Sequence, residues 1–221
     1  MERLEDLNLN GLKIYQDDAL YKFTSDAVLL TRFAIVKKGD VVADFCSGSG
    51  IVGLHLYALH PDKVNSVTMF EMQTPLFELS KKSVAVNGLQ DKFIAVNCRV
   101  QDIPAEYTGK FSLVVCNPPY MPVGHGFYEE SDTIAVCRTE LTLPLNELIK
   151  AISKALKFGG RTAIVHRADR LSDIIFEMRN NNIEPKRLQF VSGGDKEPYL
   201  LMIEGVKGGK SCIKILNTIK N

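Results

Sequence analysis

Apolar runs and amphipathic stretches alternate along the chain from about residue 40 onward. Five apolar runs have the length of buried strands and cover 40–46, 64–71, 92–98, 111–117 and 161–167. Other stretches repeat apolar residues every three or four positions, which is typical of amphipathic helices. These predicted helices cover 51–60, 75–88, 145–160 and 171–182. Strands that alternate with helices predict an α/β fold with a mostly parallel sheet and helices on both faces.

The two ends of the chain depart from this alternation. Two more apolar runs, 187–192 and 198–205, flank Gly193 and Gly194 and predict a C-terminal antiparallel pair that completes a seven-stranded sheet. Near the N-terminus, 24–36 predicts a helix that begins at Thr24 or Ser25. We expect one domain over 1–221, divided into an extension at 1–39 that acts as a lid, a core at 40–205 and a tail at 206–221.

The composition is that of an ordinary globular protein. Hydrophobic residues make up 45% and charged residues 24% of the 221 residues, and the net charge is +1. Without a global basic field, any nucleic-acid surface must be a local patch. No signal pattern or long apolar run is present, so we expect a cytoplasmic protein with no membrane contact. The five cysteines form no C-x-x-C pair, which favours reduced thiols and no metal.

A glycine-containing turn follows the first core strand and opens a helix. In "ADFCSGSGIVG", Gly48 and Gly50 allow the backbone to approach a ligand closely. Glu71 ends the next strand, at the spacing where an acid commonly accepts hydrogen bonds from ribose hydroxyls. Asp44 ends the first strand beside the turn and would repel a pyrophosphate. These charges favour S-adenosylmethionine, which has a cationic end, over a dinucleotide such as NAD.

A second motif, "NPPY", follows the fourth core strand. Pro118 and Pro119 cannot donate to a sheet ladder, so the strand must end at Cys116 or Asn117. The motif resembles the catalytic corner of class I methyltransferases that act on planar nitrogens, and the chain resembles the tRNA(Val) adenine-37 N6-methyltransferase family over nearly its whole length. The other matching stretches are "YKFTSDAVLL" (21–30), "CRTELTLPLNELI" (137–149), "LKFGGRTAIVHRADRLSDII" (156–175) and "EPKRLQFV" (184–191).

The resemblance implies a Rossmann-like class I methyltransferase fold, S-adenosylmethionine as cofactor and N6 of an adenine in tRNA as target. It gives the catalytic role to four residues, Asn117, Pro118, Pro119 and Tyr120. The Asn117 side-chain oxygen and the Pro118 carbonyl would accept the two N–H bonds of the target amine, and Tyr120 would stack on the base. The expected cofactor-binding residues are Asp44, Cys46, Gly48, Gly50, Glu71, Met72, Val100, Asp102 and Asn117.

The chain departs from the pattern of its resemblance at two positions. Arg99 stands where such families often have an Asp that bonds the cofactor's adenine, so either Asp102 makes that contact or it is lost. Cys46 stands where many relatives have the first glycine of the loop. For the tRNA, the expected contacts are Arg138, Arg167 and Lys186. The polar loop 121–132 has the character of a substrate lid, and the oligomeric state is left open, with a monomer expected.

Two alternatives remain open. A protein methyltransferase that modifies a glutamine amide would use the same N-P-P-Y chemistry, although the roughly forty residues before the first core strand are few for the helical domain such enzymes usually carry. A cofactor-binding scaffold that docks on RNA without catalysis would not need an intact N-P-P-Y. His125 and His166 have no partnered acid or nucleophile that would indicate catalysis.

Overall fold

The computed structural model describes residues 1–20, 22, 24–120 and 143–221. The α-helices within these ranges are α1 (Ser25–Phe33), α2 (Ile51–Leu59), α3 (Thr74–Val86), α4 (Leu145–Ala155) and α5 (Leu171–Asn180). The strands are β1 (Glu2–Asp6), β2 (Lys13–Asp17), β3 (Asp40–Phe45), β4 (Val64–Glu71), β5 (Phe93–Asn97), β6 (Phe111–Cys116), β7 (Leu156–Arg167), β8 (Ile183–Ser192), β9 (Pro198–Lys207), β10 (Lys214–Ile215) and β11 (Ile219–Lys220).

The sheet is mostly parallel, as the sequence predicts, but within the described residues it has nine strands and not the expected seven, because the short strands β10 and β11 also pair with β8. Its strand order is β10-β8-β9-β7-β6-β3-β4-β5, and β11 also pairs with β8. Strands β3 to β7 run parallel to one another, whereas β9 is antiparallel to both β7 and β8. After β3 the chain continues to β4 on one side of that strand, and it later adds β6 on the other side. The strand order therefore reverses between β3 and β6. Sheets of this kind bind ligands at such a switch point, at the carboxyl ends of the two strands.

Side chains alternate between two hydrophobic layers along the central strands. All six residues of β6 are buried, and Val114 faces one layer while Leu113 and Val115 face the other. Helices α4 and α5 cover the first layer, which includes an edge-to-face contact between Phe45 and Phe70 at 5.3 Å. Helices α1 and α2 cover the second layer. This double coverage explains why the central strands are continuous apolar runs.

Helix α4 is shorter than predicted. The sequence indicates a helix over 145–160 that stops at the glycines, but the helix ends at Ala155 and β7 already begins at Leu156. Leu156 pairs with Phe111, and the next paired residue of β7 is Arg161, opposite Leu113. The residues between them, including Gly159 at φ +73°, form an irregular entry to the strand. Leu156 therefore joins the sheet although it continues the helical period.

The N-terminal extension contains a hairpin that packs on α3. The Tyr15 amide donates to Ser83 Oγ at 2.9 Å, and the Lys13 amide donates to Asn87 Oδ1 at 2.8 Å. Asn87 Nδ2 returns a hydrogen bond to the Lys13 carbonyl at 2.6 Å. The lid function expected of 1–39 stays a prediction. Among the described helices, none is long and apolar enough to cross a membrane.

Candidate active site

The loop after β3 takes a left-handed backbone at three positions. Cys46, Gly48 and Gly50 have φ values of +58°, +56° and +94°. A Cβ atom on Gly50 would lie 3.0 Å from Met69 Sδ, so space as well as conformation favours glycine there. Cys46 adopts a conformation that costs an L-residue roughly 1–2 kcal/mol. Glycine would adopt this conformation without that cost.

Asp44 is a buried acid with one unpartnered oxygen. Its Oδ2 accepts the Gly53 amide N–H at 2.8 Å, which ties the start of α2 to the end of β3. Its Oδ1 is buried and has no hydrogen-bond partner among the described residues. Burial is the main reason that the pKa of Asp44 is raised to about 8, and the nearby Glu71 adds to the shift. A cation at Oδ1 would supply the missing partner, and the ammonium or sulfonium of S-adenosylmethionine fits this requirement.

Glu71 connects the glycine loop to the turn after β4. Its Oε2 accepts the Gly48 amide at 2.9 Å, and its Oε1 accepts the Gln73 amide at 2.8 Å. Burial raises its pKa, while these backbone hydrogen bonds oppose the rise. Each carboxylate oxygen can accept a second hydrogen bond, so ribose hydroxyls could still bind here. Glu71 therefore also holds the loop, a role that its place at the end of a strand did not indicate.

Asn97 is a residue of this region that the sequence analysis missed. Its Nδ2 donates to the carbonyls of Glu71 at 2.8 Å and Met72 at 3.1 Å, and its Oδ1 accepts the Thr74 hydroxyl at 3.1 Å. These bonds fix the turn that presents Met72, whose side chain is partly exposed. Asn97 could have been identified from the parallel register of β4 and β5, which pairs it with Glu71.

The choice between Arg99 and Asp102 for the cofactor's adenine is not resolved by a direct contact. Val100 is buried and begins a short 3₁₀ turn that ends at Asp102. The Asp102 carboxylate is 67% exposed and lies 3.9 Å from Arg99 Nε. The two side chains thus form a loose surface pair. The adenine contacts expected of Val100 and Asp102 stay predictions.

Asn117 lies directly after β6, at the switch point beside the glycine loop. Its predecessor Cys116 pairs with Phe45, the last residue of β3. Asn117 Oδ1 is buried and has no hydrogen-bond partner among the described residues. Leaving a buried acceptor unpaired costs about 1–3 kcal/mol, so this atom calls for an external donor. The two prolines that follow fix the backbone, as the sequence predicts.

Tyr120 is held by two contacts that the sequence analysis missed. Its hydroxyl donates to Asp26 Oδ2 on α1. Its ring lies 5.7 Å from the ring of His166, centroid to centroid. His166 is buried, its Nδ1 accepts the Arg167 amide at 2.9 Å, and burial lowers its pKa to about 4. His166 is therefore neutral at pH 7 and supports the Tyr120 ring without carrying a charge.

Two of the predicted tRNA contacts, Arg167 and Lys186, lie in different parts of the domain. Arg167 ends β7 at the carboxyl edge of the sheet, where its guanidinium pairs with Asp169. Lys186 lies in the first half of β8, away from that edge, and its Nζ donates to the Lys210 carbonyl at 2.6 Å. The structure does not bring Lys186 together with the corner. Arg138, His125 and the predicted lid 121–132 lie outside the described residues.

Among the residues that the structure describes, there is no group of three or more His, Cys, Asp or Glu side chains arranged to hold an ion. That the protein uses no metal stays a prediction. The carboxylates near the corner are engaged with backbone amides, a tyrosine hydroxyl or an arginine. Their arrangement suits organic ligands that carry N–H or O–H groups.

The fold is similar to those of solved methyltransferases. A predicted O-methyltransferase from Agrobacterium tumefaciens superposes with a TM-score of 0.69 over 88% of this chain and 86% of its own, at 15% identity. This similarity confirms the Rossmann-like methyltransferase fold. The chain belongs to the methyltransferase small domain family, which matches residues 23–178. It is therefore an S-adenosylmethionine-dependent methyltransferase.

Two curated relatives match most of the chain. One is the tRNA1(Val) (adenine(37)-N6)-methyltransferase of Shewanella putrefaciens, 26% identical over 174 residues, which are 78% of this chain and 69% of the relative. The other is the enzyme of the same name from Porphyromonas gingivalis, 27% identical over 199 residues, which are 86% of this chain and 76% of the relative. These matches confirm the family resemblance found in the sequence.

Proposed function

We propose that this protein methylates N6 of an adenine in RNA, and that its substrate is position 37 of tRNA(Val). The observation that carries the proposal is the buried Asn117 Oδ1, which has no partner among the described residues and lies beside the glycine loop. A buried acceptor that has no donor among the described residues and lies next to a cofactor loop suits an exocyclic amine. The two relatives that are named for adenine-37 of tRNA1(Val) support the choice of RNA.

The exocyclic amine of adenine is a poor nucleophile because its lone pair is delocalised into the ring. Asn117 Oδ1 would accept one amine N–H, and the Pro118 carbonyl would accept the other. Both oxygens place negative partial charge where positive charge develops on the nitrogen as it bonds to the methyl carbon. The bound cofactor supplies the activated methyl group on its sulfonium. The prolines keep both acceptors in place, so little ordering is needed during the reaction.

Asp44, Glu71 and Tyr120 orient the cofactor and the target base. Asp44 and Glu71 hold the glycine loop through the Gly53 and Gly48 amides and offer oxygens to the cofactor's cationic and ribose groups. Tyr120 offers an aromatic face to the base, a contact worth about 1–3 kcal/mol. No side chain has to remove the proton before transfer, since the methylated amine is acidic enough to lose it to water. Val100 and Met72 complete the proposed cofactor contacts.

A labelled-methyl transfer assay tests this proposal. Purified protein is incubated with S-adenosylmethionine carrying a labelled methyl group and with total tRNA, total ribosomal RNA or total protein as parallel acceptors. We expect label in tRNA, recovered as N6-methyladenosine after nuclease digestion. Label in a glutamine of the protein fraction, with none in either RNA, would replace RNA by a protein substrate. Label in ribosomal RNA alone would keep the chemistry but change the RNA.

A further inference from the structure

A pocket of about 390 Å³ adjoins the catalytic corner at Tyr120. It is lined by Asp26, Tyr120, Arg167, Asp169, Pro198, Tyr199 and Leu200. Its volume is within the range of small-molecule sites. Asn117 and Pro118, the proposed acceptors for the target amine, are not among the residues that line it. A group bound in this pocket would therefore lie beside these two acceptors, next to the Tyr120 ring.

The walls of the pocket combine aromatic surfaces with acceptors. Tyr120 forms one side, and Tyr199, at the start of β9, forms another with its side chain 45% exposed. Pro198 and Leu200 add apolar surface. Asp26 and Asp169 contribute carboxylate oxygens, which commonly accept hydrogen bonds from base amines. Stacking surfaces together with acceptors suit a planar, uncharged nucleobase.

The charge of the pocket argues against a phosphate in its interior. Among the described residues that line the pocket, Arg167 is the one cation, and it is paired with the Asp169 carboxylate. That pairing lowers the pKa of Asp169, so its carboxyl stays ionised near neutral pH. The second carboxylate, Asp26, makes the lining net negative. A nucleobase fits inside, and the partly exposed Arg167 can face the phosphate that links it to the next nucleotide.

The C-terminal end of the chain forms a hydrogen bond with the Tyr199 hydroxyl. Strand β11 pairs with the end of β8, and the Asn221 amide donates to the Ser192 carbonyl at 2.9 Å. Asn221 Nδ2 then donates to the Tyr199 hydroxyl at 3.2 Å. An aromatic ring that is both half-exposed and fixed at its hydroxyl loses little freedom when a base stacks on it. The tail 206–221 thereby contributes to one wall of the pocket.

We propose that this pocket binds the nucleobase next to the target adenine in the RNA strand, stacked on Tyr199. The proposal rests on the proposed function, because it assumes that an adenine of RNA occupies the N-P-P-Y corner. Tyr120 adjoins both places, so the two bases belong to neighbouring nucleotides. Tyr199 is then a positioning residue that sets which sequence context the protein accepts around its target.

Photocrosslinking combined with kinetics tests the proposal. The probe is an unmodified tRNA(Val) transcript with 5-iodouridine directly 5′ or directly 3′ of the target adenine, since this base crosslinks to aromatic rings on which it stacks. We expect one of the two transcripts to crosslink to the peptide that contains Tyr199. For Tyr199→Ala we expect the KM for the unlabelled transcript to rise about 5- to 150-fold, equivalent to a lost base–aromatic contact. The KM for S-adenosylmethionine should not change.

Three further variants distinguish the loss of base stacking from a general loss of RNA binding. Tyr199→Phe keeps the ring and should retain most of the affinity for RNA, and Asn221→Ala should give an intermediate KM because it frees the Tyr199 hydroxyl. Phe176→Ala removes an exposed aromatic residue of α5 outside the pocket and should leave the KM unchanged. If the wild type methylates the transcript but Tyr199→Ala keeps its KM and no crosslink reaches Tyr199, the pocket does not bind the neighbouring base. A wild type that methylates no RNA would instead refute the proposed function.

Discussion

At the scale of single residues, three side chains with buried oxygens, of which Asn117 itself is only partly buried, lie at or near the ends of neighbouring strands. Asp44 is the penultimate residue of β3, Glu71 ends β4, and Asn117 follows β6. Two of them, Asp44 and Asn117, each have a buried oxygen that is unpartnered among the described residues. Folded proteins rarely tolerate such atoms, because each costs about 1–3 kcal/mol. Their place at one edge of the sheet indicates that ligands complete their hydrogen bonds.

The raised pKa of Asp44 predicts a proton release when the cofactor binds. Below about pH 8 the free protein holds this carboxyl mostly protonated, because its folded-state pKa is raised from 3.8 to about 8 by burial. A bound cation favours the carboxylate, so binding expels the proton. The affinity for S-adenosylmethionine should therefore rise with pH, by up to about tenfold per unit, and this rise should end near pH 8.

Calorimetry in buffers of different ionisation enthalpy measures the released proton directly. Asp44→Asn cannot ionise, so it should lose the part of the pH dependence and proton release that belongs to this residue. The difference between wild type and variant removes contributions from the cofactor's own amine and from Glu71. Equal proton release by both proteins would show that Asp44 is already ionised before the cofactor binds.

At the scale of elements, the site depends on contacts between segments far apart in the chain. Helix α1 supplies Asp26, which accepts the hydroxyl hydrogen bond of Tyr120, and the end of β7 supplies His166, which packs on the same ring. Neither contact follows from local patterns, because the residues lie 94 and 46 positions apart from Tyr120 in the sequence. The aromatic ring of the corner is thus oriented by the N-terminal extension and by the sheet together.

We expect Asp26 to act on catalysis through Tyr120. Tyr120→Phe removes the donor, and Asp26→Ala removes the acceptor, so each should slow methyl transfer by roughly tenfold, as the loss of one hydrogen bond to a charged group does. Combining the two should cost little more than either alone, which a double-mutant cycle measures. Ser25→Ala is the matched control, because its Oγ lies 3.5 Å from Asp26 and contributes little. Fully additive effects would mean that Asp26 acts independently of Tyr120.

The periodicity of the sequence predicts the central strands and most of the helices, but it does not predict every helix or strand boundary. The runs at 40–46, 64–71 and 111–117 match β3, β4 and β6 closely, since buried parallel strands are continuous apolar runs. The helix at 145–160 was predicted too long, because Leu156 continues the helical pattern while pairing with Phe111. Asn97, whose role depends on its partner strand, could not be found from local sequence.

At the scale of the whole molecule, the net charge of +1 requires a local surface for RNA. The carboxyl edge of the sheet brings the corner, the glycine loop and Arg167 to the same side of the domain. Lys186 lies in the first half of β8, with its ammonium on the Lys210 carbonyl. Sequence reasoning grouped these two cations because it could not tell how far along its strand each one lies.

The salt dependence of tRNA binding should distinguish these two residues. Each phosphate contact adds about one unit to the slope of log affinity against log salt concentration. Arg167→Ala should lower the slope by about one unit, whereas Lys186→Ala, its matched control, should leave the slope unchanged. Fluorescence anisotropy of labelled tRNA over a range of KCl concentrations measures both. A loss of slope in Lys186→Ala and not in Arg167→Ala would place the RNA on the opposite side of the domain.

The central claim is that Asn117 polarises the target amine, and single-turnover methyl transfer to unmodified tRNA(Val) tests it most directly. Asn117→Ala removes the acceptor and should lower the transfer rate by about 10²–10³, while Asn117→Asp, which still accepts, should fall between wild type and Ala. Because Oδ1 has no partner among the described residues, its removal breaks no hydrogen bond seen in the fold, and cofactor affinity should change much less than the rate. An Ala variant with near wild-type transfer, or one that loses cofactor affinity in step with its rate, would contradict the account.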